Sequence, residues 1–177
     1  VDNLASEVAK KIGAKSQLVH TGALYHDIGT LERPVFYTEN QAGGNPHKHL
    51  SAMKSAEVII SHVTSGLGLA DKYNLPEQIK GFISTHHGLG KAKYFLITYK
   101  NEHPDESVDE NRFQYPGPNP RTKEEASLMM ADSVDAASRS LTEYTEEAIS
   151  ERVDSIVDTQ VREGYFRFCP ITFKDIS

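Results

Sequence analysis

The sequence predicts an all-α fold: a helical bundle closed around a metal centre and carrying one long proline-rich loop. Three observations lead there. Apolar residues recur at three- and four-residue spacing along nearly all of the 177 residues. Strand signal is almost absent, with Tyr165-Phe166-Arg167-Phe168 the one short run that reads as extended. Two adjacent polar pairs, His26-Asp27 and His86-His87, end helical segments. Neighbours on a helix diverge by about 100°, so such pairs serve a common centre only at a helix end.

Taken in order, Leu4, Val8 and Ile12 mark a first helix stopped by Gly13. Residues 18–28 form a second, with the His-Asp pair at its C-terminal end. Residues 29–47 are punctuated by Gly29, Pro34, Gly43, Gly44 and Pro46 and are expected to be irregular. Ala56, Ile59, Ile60 and Val63 give a third helix, which carries His62. Pro76 suits the first helical position of the next, where Ile79, Phe82 and Ile83 lead into the double histidine. Residues 91–100 read as a short helix. Residues 101–120 hold four prolines and five carboxylates and are expected to be a long ordered loop or lid rather than a core element. Ala126, Met130, Val134, Ala137 and Leu141 place a helix over 122–142, with Glu124 and Glu125 at its electropositive start. A last long helix covers 148–161. Thr172-Phe173-Lys174-Asp175 has the pattern of a capping box.

The bulk numbers exclude some functions. Nineteen basic and 25 acidic residues give a formal charge of −6, against a general nucleic-acid surface. One cysteine, Cys169, permits no internal disulfide and fits a reducing compartment. No apolar run approaches the roughly 20 residues that span a bilayer, so this chain is not expected to be membrane-inserted. It starts at Val1 inside a helical pattern and ends just after a helix start. It therefore reads as one domain, 1–177, truncated at both ends and cut from a longer protein.

His26, Asp27, His62, His86, His87 and Asp132 are the candidate metal ligands. Each alone has an ordinary reading: a local cap, a satisfied core histidine, a surface pair or an exposed helix carboxylate. Together they fall at helix ends or on inward-leaning faces. Buried imidazoles and carboxylates need partners. Imidazole with carboxylate suits Fe, Mn or Zn rather than Ca, and the lack of thiolates disfavours a structural zinc site. Six ligands are too many for one catalytic ion with open positions. Two ions bridged by a carboxylate use them naturally, in the manner of phosphoryl-transfer sites.

The set His26-Asp27-Ile28-Gly29, His62, His86-His87 and Asp132 resembles the HD superfamily of metal-dependent phosphohydrolases. Phe36-Tyr37-Thr38-Glu39-Asn40-Gln41, Asn45-Pro46-His47, Ile59-Ile60-Ser61-His62-Val63 and Ser84-Thr85-His86-His87-Gly88 narrow the resemblance to the seven-transmembrane HD family. Tyr94-Phe95, Tyr115-Pro116-Gly117-Pro118-Asn119-Pro120 and the run from Ala131 to Leu141 do the same. These motifs are similar to those of the PgpH-type cyclic di-AMP phosphodiesterases. The resemblance implies an HD-domain bundle with two divalent metal ions, Fe or Mn first and then Zn or Ni. Asp27 would bridge them, His62, His86 and His87 would complete one, and His26 and Asp132 would bind the other. It implies hydrolysis of cyclic di-AMP to the linear 5′-phosphorylated dinucleotide, with a hydroxide bridging the metals as nucleophile. It also implies a cytoplasmic domain of a bacterial inner-membrane protein. The alternatives are another HD nucleotide phosphohydrolase and a degenerate nucleotide-binding signalling domain.

There are departures from the family pattern. A family histidine lies upstream of Val1, so one ion is expected to have fewer protein ligands here. Thr30 stands where Lys is common, and Leu89 follows the His-His-Gly. Gly90-Lys91-Ala92 replaces the Gly-Tyr-Pro of related cyclic di-GMP hydrolases.

Other residues invite roles. Arg139, seven positions after Asp132, shares its helix face and suits a phosphate or an ion pair with Asp135. His47 suits a catalytic contact with substrate or a purely supporting one in its loop. Tyr94 and Tyr115 suit substrate binding by stacking or hydrogen bonding, or simple packing of the lid. His20 and His103 read as ordinary.

Overall fold

The structure, a computed structural model, describes residues 1–41 and 44–177 and, at Glu39, the backbone alone. Gly43, one of the expected breaks, and the Glu39 side chain of the quoted motif lie outside what is described. The eight α-helices among the described residues are α1 (Asp2–Lys11), α2 (Ser16–Tyr25), α3 (Ala52–Lys72), α4 (Glu77–Thr85), α5 (Lys93–Glu102), α6 (Lys123–Ser138), α7 (Glu146–Arg162) and α8 (Phe173–Ile176). The all-α expectation holds. Among the described residues the only extended pairing is an isolated bridge between Lys91 and Gln114. No helix among them is long and apolar enough to cross a membrane.

Side chains set many of the helix ends. Ser51 and Thr145 cap α3 and α7 by accepting from Lys54 N–H at 3.2 Å and Ala148 N–H at 3.2 Å. Thr122 caps α6 and accepts from Glu125 N–H at 3.1 Å, while Glu125 accepts from Arg121 N–H at 2.7 Å. Glu124 lies in the first turn of α6 as expected, and its carboxylate also accepts from Lys15 N–H at 2.9 Å, tying the start of α6 to the start of α2. The predicted capping box at Thr172 is present, with both reciprocal bonds.

Helices α1, α2, α4 and α6 interlock through Ala5, Ala9, Val19, Ala23, Phe82, Ile83, Leu128 and Ala131. Four of these eight are alanines, so the helices approach closely around Phe82, whose burial alone contributes about 1.5–3 kcal/mol. A second cluster joins Ala56 of α3 to Ala92, Leu96 of α5 and Phe113. A third sets Phe166 against Ala126, Met129 and Met130 of α6.

Several expectations are corrected. Helix α2 ends at Tyr25, and the chain continues into short 3₁₀ turns at Ile28–Glu32, Pro34–Phe36, Thr38–Asn40 and Pro46–His49, so 29–47 is more regular than its punctuation implies. Pro76 is the N-cap of α4, with ψ 150°, rather than its first helical residue. Residues 91 and 92 stay extended because Ala92 N–H bonds Phe113 C=O at 2.8 Å and Tyr115 N–H bonds Gly90 C=O at 2.8 Å. Helix α6 stops at Ser138, short of Leu141. Ser138 and Ser140 hydroxyls donate to the carbonyls of Asp135 and Ala137 at 2.7 and 2.8 Å, a local bond that competes with the helix. Tyr165–Phe168 is not a strand. Gly164, at φ 79°, ends α7 with Gly164 N–H on Val161 C=O and Tyr165 N–H on Gln160 C=O, the paired bonds of a left-handed helix stop. The loop of 101–120 is also core in part: Phe113 and Pro120 are fully buried.

The approach of the first 3₁₀ turn to α3 positions the site. A Cβ on Gly29 would fall 1.8 Å from His62 C=O and 2.6 Å from Gly66 N. Both obstacles are backbone and cannot swing away. Gly29→Ala should therefore destabilise the protein by about 3 kcal/mol or more, at the upper end of overpacking costs. Gly68, also on α3, has open space around its Cβ position. Gly68→Ala should stabilise by roughly 0.5–1 kcal/mol. Denaturant unfolding of the two variants checks this, and equal midpoints would refute the packing account.

Candidate metal centre

His26 is the C-cap of α2 and Asp27 the residue after it. His62 sits midway along α3, His86 is the C-cap of α4, and Asp132 lies on α6. The bundle brings these elements together. Asp27 Oδ1 lies 3.4 Å from His62 Nε2 and 3.4 Å from His86 Nε2, and Asp27 Oδ2 lies 3.4 Å from His26 Nε2. Asp132 Oδ1 is 3.7 Å from His26 Nε2. Nitrogens of His62, His86 and His87 all lie within 4.8 Å of one another. All six predicted ligands thus meet in one place.

The orientation of the rings has a local cause. His26, His62 and His86 each hold Nδ1 against the carbonyl three residues back: Ala23 at 2.7 Å, Ile59 at 2.6 Å and Ile83 at 2.9 Å. A carbonyl only accepts, so Nδ1 carries a proton and Nε2 turns inward. His62 Nε2 and His86 Nε2 then face each other at 3.0 Å. Two ring nitrogens at that distance need a proton or a metal cation between or beside them. His26 Nε2 is buried with no hydrogen-bond partner. The donors are imidazole and carboxylate without thiolate. These residues fit a metal.

The electrostatics agree. Burial lowers the pKa of His62 and His87, assisted by the neighbouring His86, so both are neutral and ready to ligate. Burial would also lower His26, but the pull of Asp132 and the charge of Asp27 outweigh it and raise His26 from 6.5 to about 9. At 3.7 Å Asp132 is too far for a full hydrogen bond, so it acts as a near charge. Burial would raise Asp27, yet the three imidazoles around it hold it well below the usual carboxylate range.

The other predicted residues are scattered around this centre. Tyr115 is buried and stacks on His87, centroids 4.2 Å apart and planes at 21°, so it backs a ligand. Tyr94 is 75 % exposed, an open ring on α5. His47 donates Nε2–H to Phe36 C=O at 2.9 Å and lies between Phe36 and Phe95. It lines a cavity of about 770 Å³ together with Tyr94 and Ala136. Arg139, half exposed, makes the expected ion pair with Asp135 at 3.0 Å. His20 and His103 are ordinary, bonded to Asp2 and stacked on Tyr99 respectively. Thr30 donates to Asp27 C=O at 2.8 Å and steadies the turn that presents the carboxylate. Sequence reasoning assigned no role to Tyr37, whose ring meets His62 edge-on at 5.9 Å; only its place in a quoted motif marked it.

Comparison with known proteins places this geometry. The HD domain family model matches residues 1–137. The "Cyclic-di-AMP phosphodiesterase PgpH" proteins of Listeria monocytogenes serotype 1/2a (strain 10403S) and Bacillus subtilis (strain 168) are 42% and 37% identical over 177 residues. Those matches cover 99% of this chain but 24% and 25% of the relatives, so the chain spans about a quarter of their length. The crystal structure of the L. monocytogenes PgpH HD domain in complex with cyclic-di-AMP superposes with a TM-score of 0.94 at 41% identity, covering 99% of this chain and 81% of that one. A second crystal structure of that HD domain gives 0.91 at 40% identity, covering 99% and 82%. The chain belongs to the HD domain family, and over almost its whole length it is similar to the PgpH HD domain.

Proposed function

We propose that this domain is a metal-dependent phosphodiesterase that opens cyclic di-AMP to the linear 5′-phosphorylated dinucleotide. The observation that carries the reading is the division of the Asp27 carboxylate: Oδ1 faces His62 and His86, and Oδ2 faces His26. A carboxylate so divided suits two ions, one with His62, His86 and His87 and the other with His26 and Asp132. Fe or Mn fits this donor set first, then Zn or Ni. When bound, two divalent cations neutralise the non-bridging phosphate oxygens and acidify water for in-line attack at phosphorus.

The chain's own residues do the rest. The carbonyls of Ala23, Ile59 and Ile83 hold the rings in one tautomer, and Tyr115 backs His87. Arg139 and His47 are proposed to add donors to the phosphate, and Tyr94 and Tyr115 to contact the substrate. The base preference is supported by the names of the PgpH relatives and by the ligand of the L. monocytogenes structure. The share of those relatives that the chain spans supports its being one domain of a longer protein. The seven-transmembrane resemblance supports a cytoplasmic place beside a bacterial inner membrane.

The test is product analysis after incubation with Mn²⁺ or Fe²⁺ and cyclic di-AMP, cyclic di-GMP or dATP. The linear dinucleotide should appear from cyclic di-AMP fastest. Preferred turnover of dATP would favour the mononucleotide alternative, and binding without any product the degenerate one. Asp27→Ala should cut turnover by more than the roughly 10–100-fold of losing a group one shell out, while circular dichroism stays unchanged. Retained activity would remove Asp27 from the mechanism.

Metal affinity should depend on pH in a defined window. The ion must displace the His26 proton, which the metal-free site holds until about pH 9 against an ordinary 6.5. Affinity for Mn²⁺ should therefore climb from pH 6.5 towards 9, with proton release seen by calorimetry in buffers of different ionisation enthalpy. The stability of the metal-free protein should show the opposite trend. The charged His26 contributes its full stabilisation below pH 6.5 and loses it as the pH passes about 9. A flat affinity across this window would contradict the assigned protonation.

A further inference from the structure

Of the four candidate ligand histidines, three tie their rings to their own helix. His26, His62 and His86 each hold Nδ1 on the carbonyl three residues back. His87 follows the C-cap of α4, past the point where helical geometry offers it such a carbonyl. Among the described residues no hydrogen bond holds its imidazole. Its ring instead meets two others: His86, with centroids 4.1 Å apart, and Tyr115, at 4.2 Å with planes at 21°. A stack fixes the plane of a ring. It does not fix the point from which the side chain leaves the backbone, and a metal ligand needs both.

That point is set from outside the helix. After His87 the chain turns through Gly88, at φ 51°. Gly88 N–H and Gly90 N–H return to the carbonyls of Thr85 and His87, both at 2.9 Å. Leu89 N–H, between them, donates instead to the side chain of Asn119, reaching Oδ1 at 2.9 Å. The fit there is close. A Cβ on Gly88 would fall 2.6 Å from that same oxygen, and one on Gly117 would fall 2.7 Å from the Leu89 side chain. Asn119 belongs to the run that carries Tyr115. It stands just before Pro120, which is fully buried, and Thr122, the N-cap of α6. Backbone bonds continue the contact, from Tyr115 N–H to Gly90 C=O and from Ala92 N–H to Phe113 C=O, both at 2.8 Å. Asn119 thus closes the end of this pairing that lies next to the double histidine in the chain.

We propose that Asn119 is a positioning residue for the metal centre. By holding Leu89 N–H it fixes the turn from which His87 leaves, and so aims that imidazole at the ion it shares with His62 and His86. Tyr115 fixes the plane of the same ring. The run 115–119 therefore does for His87 what backbone carbonyls do for the other three histidines. The hydroxyls on the near side of the turn do not serve it, because Ser84 and Thr85 both donate to Gly81 C=O, at 3.0 and 2.8 Å. The role rests on the reading above in which His87 is a ligand.

The test is Mn²⁺ binding without substrate, followed by titration calorimetry. It compares the unsubstituted protein with Asn119→Ala, Asn119→Asp, His87→Ala and the double variant Asn119→Ala/His87→Ala. His87→Ala should weaken the ion assigned to the three histidines. Asn119→Ala should weaken the same ion by about 10–100-fold, the range for groups that orient a ligand, and leave the ion assigned to His26 and Asp132 in place. Asn119→Asp keeps an acceptor for Leu89 N–H and should restore most of the affinity. In the His87→Ala background, Asn119→Ala should cost nothing more, because a residue that acts through His87 has no effect once His87 is gone. Asn119→Ser, whose hydroxyl stops short of Leu89 N–H, takes the place of Asn119→Ala where the latter does not fold. Unchanged affinity in Asn119→Ala, a loss that Asn119→Asp does not recover, or an equal further loss in the His87→Ala background would overturn the role. If His87→Ala itself leaves Mn²⁺ binding unchanged, His87 is not a ligand, and the role of Asn119 fails together with the reading it rests on.

Discussion

Everything at the centre depends on one short contact made three times: a histidine Nδ1–H on the carbonyl three residues back in its own helix. Helical geometry puts that carbonyl within reach; His26 and His86, at helix C-termini, find it free of a ladder partner, while His62 makes the same bond from the middle of α3. The bond decides the tautomer, and the tautomer decides that Nε2 points away from the helix. With α2, α3 and α4 packed so that His26, His62 and His86 aim at one carboxylate, the site assembles without a dedicated loop. The same arrangement turns the Nε2 atoms of His62 and His86 to within 3.0 Å of each other and leaves His26 Nε2 without a hydrogen-bond partner. A cation beside these nitrogens would satisfy them, so affinity for metal is written into how the rings are held by their own helices.

The packing that permits this is made of small residues. Alanines 5, 9, 23 and 131 let four helices close on Phe82 and Ile83, immediately before the double histidine. On the other side, Gly29 lets the turn carrying Asp27 touch the backbone of α3 one residue-width from His62. A larger residue at either contact would push Asp27 and the rings apart by more than coordination tolerates. Core packing and ligand geometry are therefore the same constraint here, seen from two sides.

Much of this was legible in the sequence because metal sites demand expensive residue types. His26-Asp27, His62, His86-His87 and Asp132 stood out against the helical pattern, and all six converge. The helices were legible too, since apolar spacing repeats over many residues. What could not be read was decided by single local bonds or by distant partners. Ser138 and Ser140 ended α6 early by bonding their own backbone. Tyr165–Phe168 had the composition of a strand, but Gly164 in the left-handed region committed it to a turn. The proline-rich loop looked like a surface lid, and Phe113 and Tyr115 enter the interior only because the backbone at 90–92 pairs with it. Side-chain roles were least legible of all. The i,i+4 spacing of Arg139 offered its ion pair with Asp135 without deciding for it, and the placing of His47 between two phenylalanines does not follow from spacing at all.

The ligands, the carbonyls that orient them and the core beneath lie within residues 1–137, the stretch that the HD domain model matches, where the demand is for one fixed geometry. Helix α7 lies beyond it and is held in register with the centre by the Gln160–Ser133 contact, at the residue next to Asp132. A polar contact fixes register where an apolar one would tolerate sliding, and the unpaired oxygen of Gln160 is its cost.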